Sequence, residues 1–382
     1  MVNSYNYVKD LSCSLRKLGG ITLRTNLDPL EQIWENRPSL PANPVEIQPL
    51  EYAGETLASK VVRIRKSLRE LHADGMLVSA LDDIAWTLNL RGTDVHCNPV
   101  FVSYLLIESD KVSLFVDDNK LSPEVKQYLQ DNQVSLYNYN KVEKCLESYS
   151  EYNILLDGDE TSYYLWKTVK CQEIVAAASP IPAMKAVKNK AEIEGYRSAM
   201  LKDGVAMVKF LKWLKPAVEA GGQTEISIDE KLTSLRAEQK LFRDISFDTI
   251  AGYAQHGAIV HYEATPETDV VLKPEGLILI DSGAQYQDGT TDITRTIALG
   301  AVSEEMKHIY TLVLKAHIQL ELVKFPDGAS GTQLDAVGRE CMWREGYNFL
   351  HGTGHGVGSY LCVHEGPHQI RMEWMPTSTS CR

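Results

Sequence analysis

Residues 277–300 read LILIDSGAQYQDGTTDITRTIALG. An apolar run, residues 277–280, ends in Asp281, and a β-branched run, residues 293–297, begins directly after Asp292. Two strand-like runs around a polar, glycine-containing turn predict a β-hairpin. Each strand of that hairpin would therefore carry one carboxylate on the side of the turn.

The loop length decides how these two carboxylates lie relative to each other. A two-residue turn at the Asp-Gly pair would place Gln285 opposite Asp292 and leave Asp281 about 13 Å away at ~3.3 Å per residue. A four-residue loop over residues 285–288 would place the aspartates directly opposite, with Cβ atoms about 5 Å apart. Two buried carboxylates repel unless a cation lies between them. We favour the four-residue loop and a divalent metal; the alternative is two solvated strand-end aspartates.

A second segment, LHGTGHGVG at residues 350–358, places His351 and His355 in a glycine-rich run. Glycines allow a backbone to approach a ligand closely. A histidine in such a run has few neighbours to pack on, which favours a role in a site over a structural role. Two further histidines have site-like contexts, His261 in IVHYE and His364 in VHEGP.

Four motifs occur in order: GAIVHY at 257–262, DSGAQYQDGTTDITRT at 281–296, HGTGHGVG at 351–358 and VHEGP at 363–367. Together they closely resemble aminopeptidase P, the Xaa-Pro aminopeptidase family of pita-bread metallopeptidases, and most strongly its long cytosolic form. The resemblance implies an α/β creatinase-like N-terminal domain followed by an α+β pita-bread catalytic domain, which we expect to be incomplete.

The resemblance also implies a metal centre with two divalent cations held by two aspartates, one histidine and two glutamates. Asp281, Asp292 and His355 match the aspartates and the histidine. This donor set suits Mn²⁺, with Co²⁺ or Zn²⁺ as substitutes in vitro. Two such ions activate a shared water and polarise the scissile carbonyl.

The remaining histidines would serve the peptide substrate. By resemblance, His261 and His364 contact the peptide near the scissile bond and the proline pocket, and His351 shapes that pocket and stabilises the tetrahedral intermediate. The implied activity is removal of an N-terminal residue that precedes proline. Because an Xaa-Pro bond lacks an N–H group, a dedicated pocket for the ring makes physical sense.

The sequence departs from the family pattern after Ile370, where it reads RMEWMPTSTSCR. The two expected glutamates, in a Glu-Pro-Gly segment and in a later strand, have no match, and neither Glu365 nor Glu373 has a matching context. We therefore expect impaired activity, exposed strand edges and a truncated or shifted reading frame after Pro376. The alternatives are a non-catalytic pita-bread peptide-binding module and a single ion that serves structure only.

The composition of the chain indicates which classes of partner and which cellular compartment to expect. The net charge of −12 over 382 residues, with no basic block, argues against nucleic acid as a partner. No signal peptide and no apolar run long enough for a membrane span is found in the sequence. The seven cysteines form no Cys-x-x-Cys pair, which is typical of a reducing cytoplasm. By resemblance to the long cytosolic form, we also expect a homodimer.

Three domains are expected: residues 1–48 as the remnant of a first domain with a proline-rich linker, 49–183 as a creatinase-like α/β domain and 184–382 as a pita-bread domain lacking its C-terminal strands. We expect no long regular element in 1–48. Residues 89–94 (NLRGTD) match a family segment near the active-site cleft, or form a solvated loop with an Arg–Asp pair. Helices are predicted at 56–72, 81–90, 121–130, 190–215 (ended by Pro216), 228–239 (capped by Ser227 and Glu230), 304–325 and 333–345, and strands at 76–78, 100–107, 112–116, 154–156, 247–252 and 257–261.

Overall fold

The computed structural model describes residues 3–25, 30, 33–149 and 153–373, so the end of the chain around Pro376 lies outside the described residues. Two units can be separated. The first comprises Met1–Val95 and Pro99–Lys185, and the second comprises His96–Asn98 and Ala186–Arg382.

The first unit is built on a six-stranded mixed sheet in the order β6-β5-β4-β2-β7-β8. Its central strands β2 and β5 are buried along their whole length, because helices cover both faces. Its elements are α1 (Tyr5–Gly19), β1 (Glu46–Ile47), α2 (Leu50–Ala53), α3 (Leu57–Glu70), β2 (Gly75–Val78), α4 (Leu81–Leu88), β3 (Leu90–Arg91), β4 (Ser103–Glu108), β5 (Val112–Val116), α5 (Pro123–Asp131), β6 (Val134–Asn138), α6 (Val142–Glu147), β7 (Ile154–Leu156), α7 (Tyr163–Thr168), β8 (Ile174–Ala176) and α8 (Ile181–Ala186).

The helix predicted at residues 56–72 is confirmed as α3, which begins after an N-cap at Thr56. The hydroxyl of Thr56 accepts a hydrogen bond from the backbone N–H of Ser59 at 3.2 Å, satisfying one free donor of the first turn. The strands at 76–78, 112–116 and 154–156 are confirmed as well. Apolar periodicity therefore located the main elements of this unit.

The expectation of no long element in residues 1–48 is wrong, because α1 forms a helix of 15 residues. Its sequence is mostly polar, and Val8 is its only buried residue. The helix is held mainly at its first turn, where the Tyr5 ring stacks on Trp166 with centroids 3.9 Å apart. Val8, Leu11, Leu15 and Leu18 recur at helical spacing, so the sequence does carry a helical pattern here, which the expectation overlooked.

The second unit packs two long helices against antiparallel strands in the order β10-β11-β14. Apolar side chains of α9 and α10, such as Phe210, Leu214 and Ile228, form its core with Ile278 and Ile280 of β11. Its elements are α9 (Lys190–Ala220), α10 (Glu225–Ala237), β9 (Phe242–Ile245), β10 (Ile250–Tyr253), β11 (Leu277–Ser282), β12 (Ala284–Tyr286), β13 (Gly289–Thr290), β14 (Ile293–Ala298), α11 (Glu304–Leu322), α12 (Gly331–Trp343), β15 (Gly354–Gly356) and β16 (Glu365–Ile370).

Two predicted helix boundaries in this unit are wrong. Pro216 lies inside α9, which continues to Ala220. An interior proline costs about 3 kcal/mol, but the helix buries Val218, 2% exposed, in the core beyond it. The N-cap of α10 is Thr224, not Ser227. As the third residue of the capping box, Ser227 instead accepts a hydrogen bond on its hydroxyl oxygen from the Thr224 backbone N–H.

The segment predicted as a strand at 257–261 is not one. Residues Ala254–Ala258 form a short 3₁₀-helix, and His261 has a φ of 57°, in the left-handed region. Strand pairing begins upstream, where β10 pairs antiparallel with β11. The chain therefore approaches the hairpin through a tight turn that presents His261.

The hairpin predicted around residues 277–300 is confirmed, with a shorter turn. β11 pairs antiparallel with β14, and β12 pairs with β13 so that Tyr286 lies opposite Gly289. The turn has two residues, Gln287 and Asp288, so both the favoured four-residue loop and the Asp-Gly turn are wrong. Tyr286 is fully buried, and this burial holds it in the strand ladder rather than in the loop.

Among the described residues, no helix is both long and apolar enough to cross a membrane. The six cysteines in the described part of the chain are free thiols.

Candidate metal centre

Asp281 and Asp292 lie on the same face of the hairpin but not directly opposite each other. Asp281 pairs with Thr294, two residues beyond Asp292. Because side chains alternate between faces, residues two apart share a face, so the two aspartates are diagonal neighbours. The prediction of directly facing carboxylates is therefore wrong: the two aspartates are offset by two residues in the strand register.

The carboxylate of Asp281 is partly buried beside a second negative charge. Burial raises its pKa above the ordinary value, and the charge of Asp292 raises it further. A hydrogen bond from the Thr294 hydroxyl to Asp281 Oδ1, at 2.6 Å, acts in the opposite direction. An arrangement that makes ionisation of a carboxylate costly is stabilised when a cation binds between the two groups.

His355 brings an imidazole to the same carboxylates from β15. Its Nε2 lies 3.2 Å from Asp292 Oδ2, and this contact raises the pKa of the imidazole. Its Nδ1 lies 2.7 Å from the carbonyl oxygen of Gly356, to which an Nδ1–H can donate. Because Nδ1 is engaged with the backbone, Nε2 is the ring nitrogen that faces the carboxylates and would bind a metal ion after losing its proton, as in histidines that bind metal ions.

Close backbone packing explains why β15 is glycine-rich. A Cβ atom on Gly356 would lie 2.5 Å from the carbonyl oxygen of Glu365 and 2.6 Å from the ring of His368. β16 pairs with β15 through His355 and Gln369. Only glycine permits this approach, which fixes the position of the adjacent His355.

His364 and His261 complete the cluster. The rings of His364 and His355 meet edge to face with centroids 4.3 Å apart. Burial lowers the pKa of His364, and the neighbouring His355 lowers it further. The charge of His261 acts on both Asp281 and His364. The structure thus brings together five of the six side chains that the sequence singled out.

His351 is the exception. Its ring packs against Phe349 with centroids 4.9 Å apart, and its Nδ1 lies 2.7 Å from the Gly352 carbonyl oxygen. It lines an apolar cavity of about 470 Å³ between α11 and α12. Among the described residues, the observed contacts of His351 are thus with Phe349, Gly352 and that cavity rather than with the other histidines.

Neither of the nearby glutamates joins the cluster through its observed contacts. Glu365 is buried in β16 and forms an ion pair with Lys188. Glu373 is exposed and forms an ion pair with Arg371. Each carboxylate has a basic partner, in keeping with the expectation that neither replaces a missing ligand.

The segment at residues 89–94 is not a solvated loop with an Arg–Asp pair. Arg91 is buried and its Nη1 donates to the carbonyl oxygens of Ala85 and Leu90. Asp94 is buried and pairs with Lys120, while the backbone N–H of Val102 donates to it. The partner of Asp94 is thus Lys120, which lies shortly before α5 and outside the segment 89–94.

Sequence reasoning missed two groups that support the cluster. Thr294 orients Asp281, and the fully buried Glu225 holds the turn that carries His261. Glu225 accepts hydrogen bonds from the Tyr253 backbone N–H at 2.7 Å and from the Tyr262 hydroxyl at 2.9 Å. The strand register would have indicated Thr294, whereas Glu225 carries no motif.

The donor set fits a centre for divalent cations. Two carboxylates and one imidazole suit Mn²⁺, Co²⁺ or Zn²⁺, and both Asp281 and His355 have partners that orient them. In the described part of the chain, the donor atoms of Asp281, Asp292 and His355 do not all lie within 4.8 Å of one another.

Comparison with known proteins identifies two domain families in this chain. Residues 36–192 match the model of the creatinase/prolidase N-terminal domain, and residues 194–379 match that of metallopeptidase family M24. The fold is that of a creatinase-like domain followed by a pita-bread domain. The chain thus has the domain architecture of metallopeptidase family M24.

Within that family, the chain belongs to the aminopeptidase P group. It is 39% identical over 371 residues to a probable Xaa-Pro aminopeptidase P of Sclerotinia sclerotiorum, covering 92% of this chain and 61% of the relative. It is 35% identical to aminopeptidase P1 of Arabidopsis thaliana, with 91% and 61% covered. The chain therefore spans about three fifths of the length of these curated relatives.

A solved structure agrees over nearly the whole chain. It is the X-prolyl aminopeptidase of Caenorhabditis elegans, described as a cytosolic enzyme with a di-nuclear active site. The TM-score is 0.91 at 32% identity, covering 99% of this chain and 63% of that one.

Proposed function

We propose that this chain carries the catalytic centre of a metal-dependent aminopeptidase that removes the N-terminal residue from peptides with proline in second position. The observation that carries the proposal is the convergence of Asp281, Asp292 and His355 on one face of the hairpin, with His261 and His364 beside them. The names of the relatives, which are Xaa-Pro and X-prolyl aminopeptidases, support it.

The proposed cofactors are two divalent cations, preferentially Mn²⁺, held by Asp281, Asp292 and His355 as the ligands in this chain. When bound, the ions would supply an activated water and polarise the scissile carbonyl. The Thr294 hydroxyl would keep Asp281 Oδ1 in place, and the Gly356 carbonyl would keep the His355 ring in the tautomer that presents Nε2.

The histidines would bind the peptide. His364 packs against His355, so its ring lies where a peptide that reaches the metal ligands must pass. His261 is exposed at the end of its turn and can contact the same peptide. We assign His351 to the shaping of the proline pocket; its contact with the apolar cavity, rather than with the other histidines, makes it the least supported of the three.

For a polypeptide of residues 1–382, we propose impaired activity. Its sequence supplies three of the five ligands that the resemblance implies, and three ligands neither neutralise nor saturate two cations. Peptide binding without cleavage, as in a non-catalytic pita-bread module, is the alternative outcome.

Two measurements on the purified 1–382 polypeptide test these proposals separately. The first is bound metal per chain by elemental analysis, after incubation with Mn²⁺ and desalting. The second is release of the first residue from an Xaa-Pro-Xaa peptide, with and without Mn²⁺. We expect the wild-type polypeptide to bind metal and the Asp292→Asn variant to lose it. The control variant Asp327→Asn, which changes an exposed carboxylate, should retain the metal.

The outcomes are distinguishable. Metal-dependent release of the first residue would support the activity and overturn the impairment. Bound metal and bound Xaa-Pro peptide without release would support the impairment. Failure of the wild-type polypeptide to bind any metal, or equal binding by the Asp292→Asn variant, would overturn the proposed centre.

We further propose that the chain acts as a cytoplasmic homodimer. The free thiols in the described residues support a reducing compartment. Light scattering of the purified polypeptide at several concentrations tests the dimer, and a monomer mass throughout would overturn it.

A further inference from the structure

Residues His96–Asn98 belong to the second unit although their neighbours in sequence belong to the first. The carbonyl oxygen of Cys97 accepts a hydrogen bond from Nε2 of the buried Gln285 at 3.1 Å. The same nitrogen donates to the carbonyl oxygen of Leu361 at 2.8 Å. This short segment is thus fastened to β12.

The backbone at Cys97 adopts a conformation that is uncommon for its residue type. Its φ is 60°, in the left-handed region that non-glycine residues seldom occupy. Such a conformation persists only where the surrounding structure enforces it, and it is enriched at functional sites. Here it holds two consecutive side chains with ligand chemistry, an imidazole and a thiol.

A carboxylate completes the group. His96, Cys97 and Asp248 each offer one ligand atom, and these atoms all lie within 4.8 Å of one another. His96 Nε2 is 2.8 Å from Asp248 Oδ1. Ligands that share one tetrahedral zinc ion lie about 3.3–3.8 Å apart, given bonds of about 2.0–2.3 Å. Small side-chain rotations would therefore bring the three atoms to coordination distance.

The electrostatic surroundings favour a cation. Asp248 raises the pKa of His96, mainly through their hydrogen bond, and Asp244 and Glu263 add to the effect. Burial raises the pKa of the Cys97 thiol to about 12, with Asp248 and Asp244 contributing. A thiol held in the protonated form is a poor nucleophile, which argues against a Cys-His-Asp nucleophilic site.

We propose that His96, Cys97 and Asp248 form a mononuclear site for a thiophilic divalent cation such as Zn²⁺, separate from the Asp281–Asp292–His355 centre. One imidazole, one thiolate and one carboxylate provide three protein ligands, and water takes the fourth position. On binding, a bond forms between Cys97 Sγ and the metal, and the thiol proton passes to water.

The exposure of these residues lets a metal ion reach the site, and their positions in the chain indicate what a bound ion would do. The side chains of His96 and Asp248 are 68% and 49% exposed, so a hydrated ion can reach them. A bound ion would join residue 97, before β4, to residue 248, between β9 and β10. The bound ion would therefore hold residues 96–98 against the rest of the second unit, in addition to the hydrogen bond from Gln285.

Cobalt(II) distinguishes this site from the other centre. The metal-free 1–382 polypeptide is titrated with Co²⁺, and the near-ultraviolet spectrum is recorded for a thiolate-to-cobalt charge-transfer band. We expect such a band with one equivalent bound, and its loss when Zn²⁺ is added. Asp281, Asp292 and His355 contain no sulfur and cannot produce it, so Asp292→Asn is expected to leave it unchanged.

Variants of this cluster make the test decisive. The Cys97→Ala variant is expected to lose the band. The separate variant Asp248→Asn, which changes an exposed carboxylate, is expected to lose or shift it. The matched control Cys362→Ala, which removes another half-buried cysteine thiol, is expected to keep it. Absence of the band in folded wild-type protein, its persistence in Cys97→Ala, or its loss only in Cys362→Ala would overturn the site. None of these outcomes depends on peptidase activity, so the proposed function is tested separately.

Discussion

Thr294 lies opposite Asp281 in the β11–β14 ladder and donates a hydrogen bond to its Oδ1 at 2.6 Å. The hydroxyl fixes one carboxylate oxygen and leaves the other available for a ligand. Thr294 therefore acts on the proposed metal centre through Asp281, without contacting the ion itself.

Replacing Thr294 by valine is expected to weaken metal binding by about 10- to 100-fold, the range found when partners that orient ligands are removed. The two side chains are nearly equal in volume, so the strand should stay folded. Binding of Mn²⁺ by isothermal titration calorimetry measures the effect. The control is Thr296→Val, which lies on the same face of β14 opposite Leu279. Equal affinities for the two variants would contradict this role.

Gly283 is expected to be essential for the hairpin to close. A Cβ at this position would lie 2.0 Å from the carbonyl oxygen of Thr291 and 2.1 Å from Ser246 Oγ. Because the first of these atoms is backbone, it cannot rotate away, and we expect Gly283→Ala to lower the free energy of unfolding by about 3 kcal/mol or more.

Urea denaturation followed by circular dichroism measures this loss. Gly204→Ala provides the control, because a Cβ there meets no atom within 4 Å and the residue lies inside α9. Alanine at that helical position should stabilise by about 0.5–1 kcal/mol. A similar change for both variants would show that the close packing at Gly283 is not limiting.

Glu225 is expected to position the turn that carries His261. Its fully buried carboxylate accepts hydrogen bonds from the Tyr253 N–H and the Tyr262 hydroxyl, and it contacts His256 Nδ1 at 3.0 Å. Glu225→Gln replaces one acceptor oxygen by a donor and is expected to destabilise by about 3 kcal/mol.

Hydrogen exchange distinguishes this local role from a general loss of stability. Amide protection in residues 253–262 should fall more than protection in α9. Glu238→Gln, which alters an exposed ion pair with Lys209, should leave stability nearly unchanged, because water and salt screen exposed ion pairs. Uniform loss of protection across the second unit would contradict a positioning role.

The sequence singled out the residues of the proposed metal centre because their motifs are local. Asp281 and Asp292 flank one turn, and His355 lies in a glycine run that needs close backbone approach. These constraints act over a few residues, so they are visible in the sequence. The fold class could be predicted for the same reason, through the resemblance that those motifs carry.

What the sequence did not predict depends on distant contacts. The burial of Tyr286 decided the turn length, and the core around Val218 carried α9 past its proline. The first turn of α1 is held by hydrogen bonds and ring contacts with residues 158–166. The group formed by His96 and Asp248 joins positions 152 residues apart. No periodic pattern or short motif encodes such pairings.

The last expectation concerns pH and the buried acid Asp83 of α4. Burial raises its pKa from 3.8 to about 6, although Lys185 lies 2.9 Å away and acts in the opposite direction. Between about pH 4 and pH 6 the folded state therefore binds more protons at this site than the unfolded state. The free energy of unfolding should accordingly fall as the pH rises through this window, by at most about 1.4 kcal/mol per pH unit.

In Asp83→Asn the amide does not ionise, so this component of the pH dependence should disappear. Urea denaturation at a series of pH values from 4 to 7 gives the slopes for the wild type and the variant. The control is Asp118→Asn, whose exposed carboxylate pairs with Lys126 and should leave the slope unchanged. If the wild type and Asp83→Asn show the same slope, the Asp83 carboxyl is already ionised at low pH, and its ion pair with Lys185 outweighs the cost of burial.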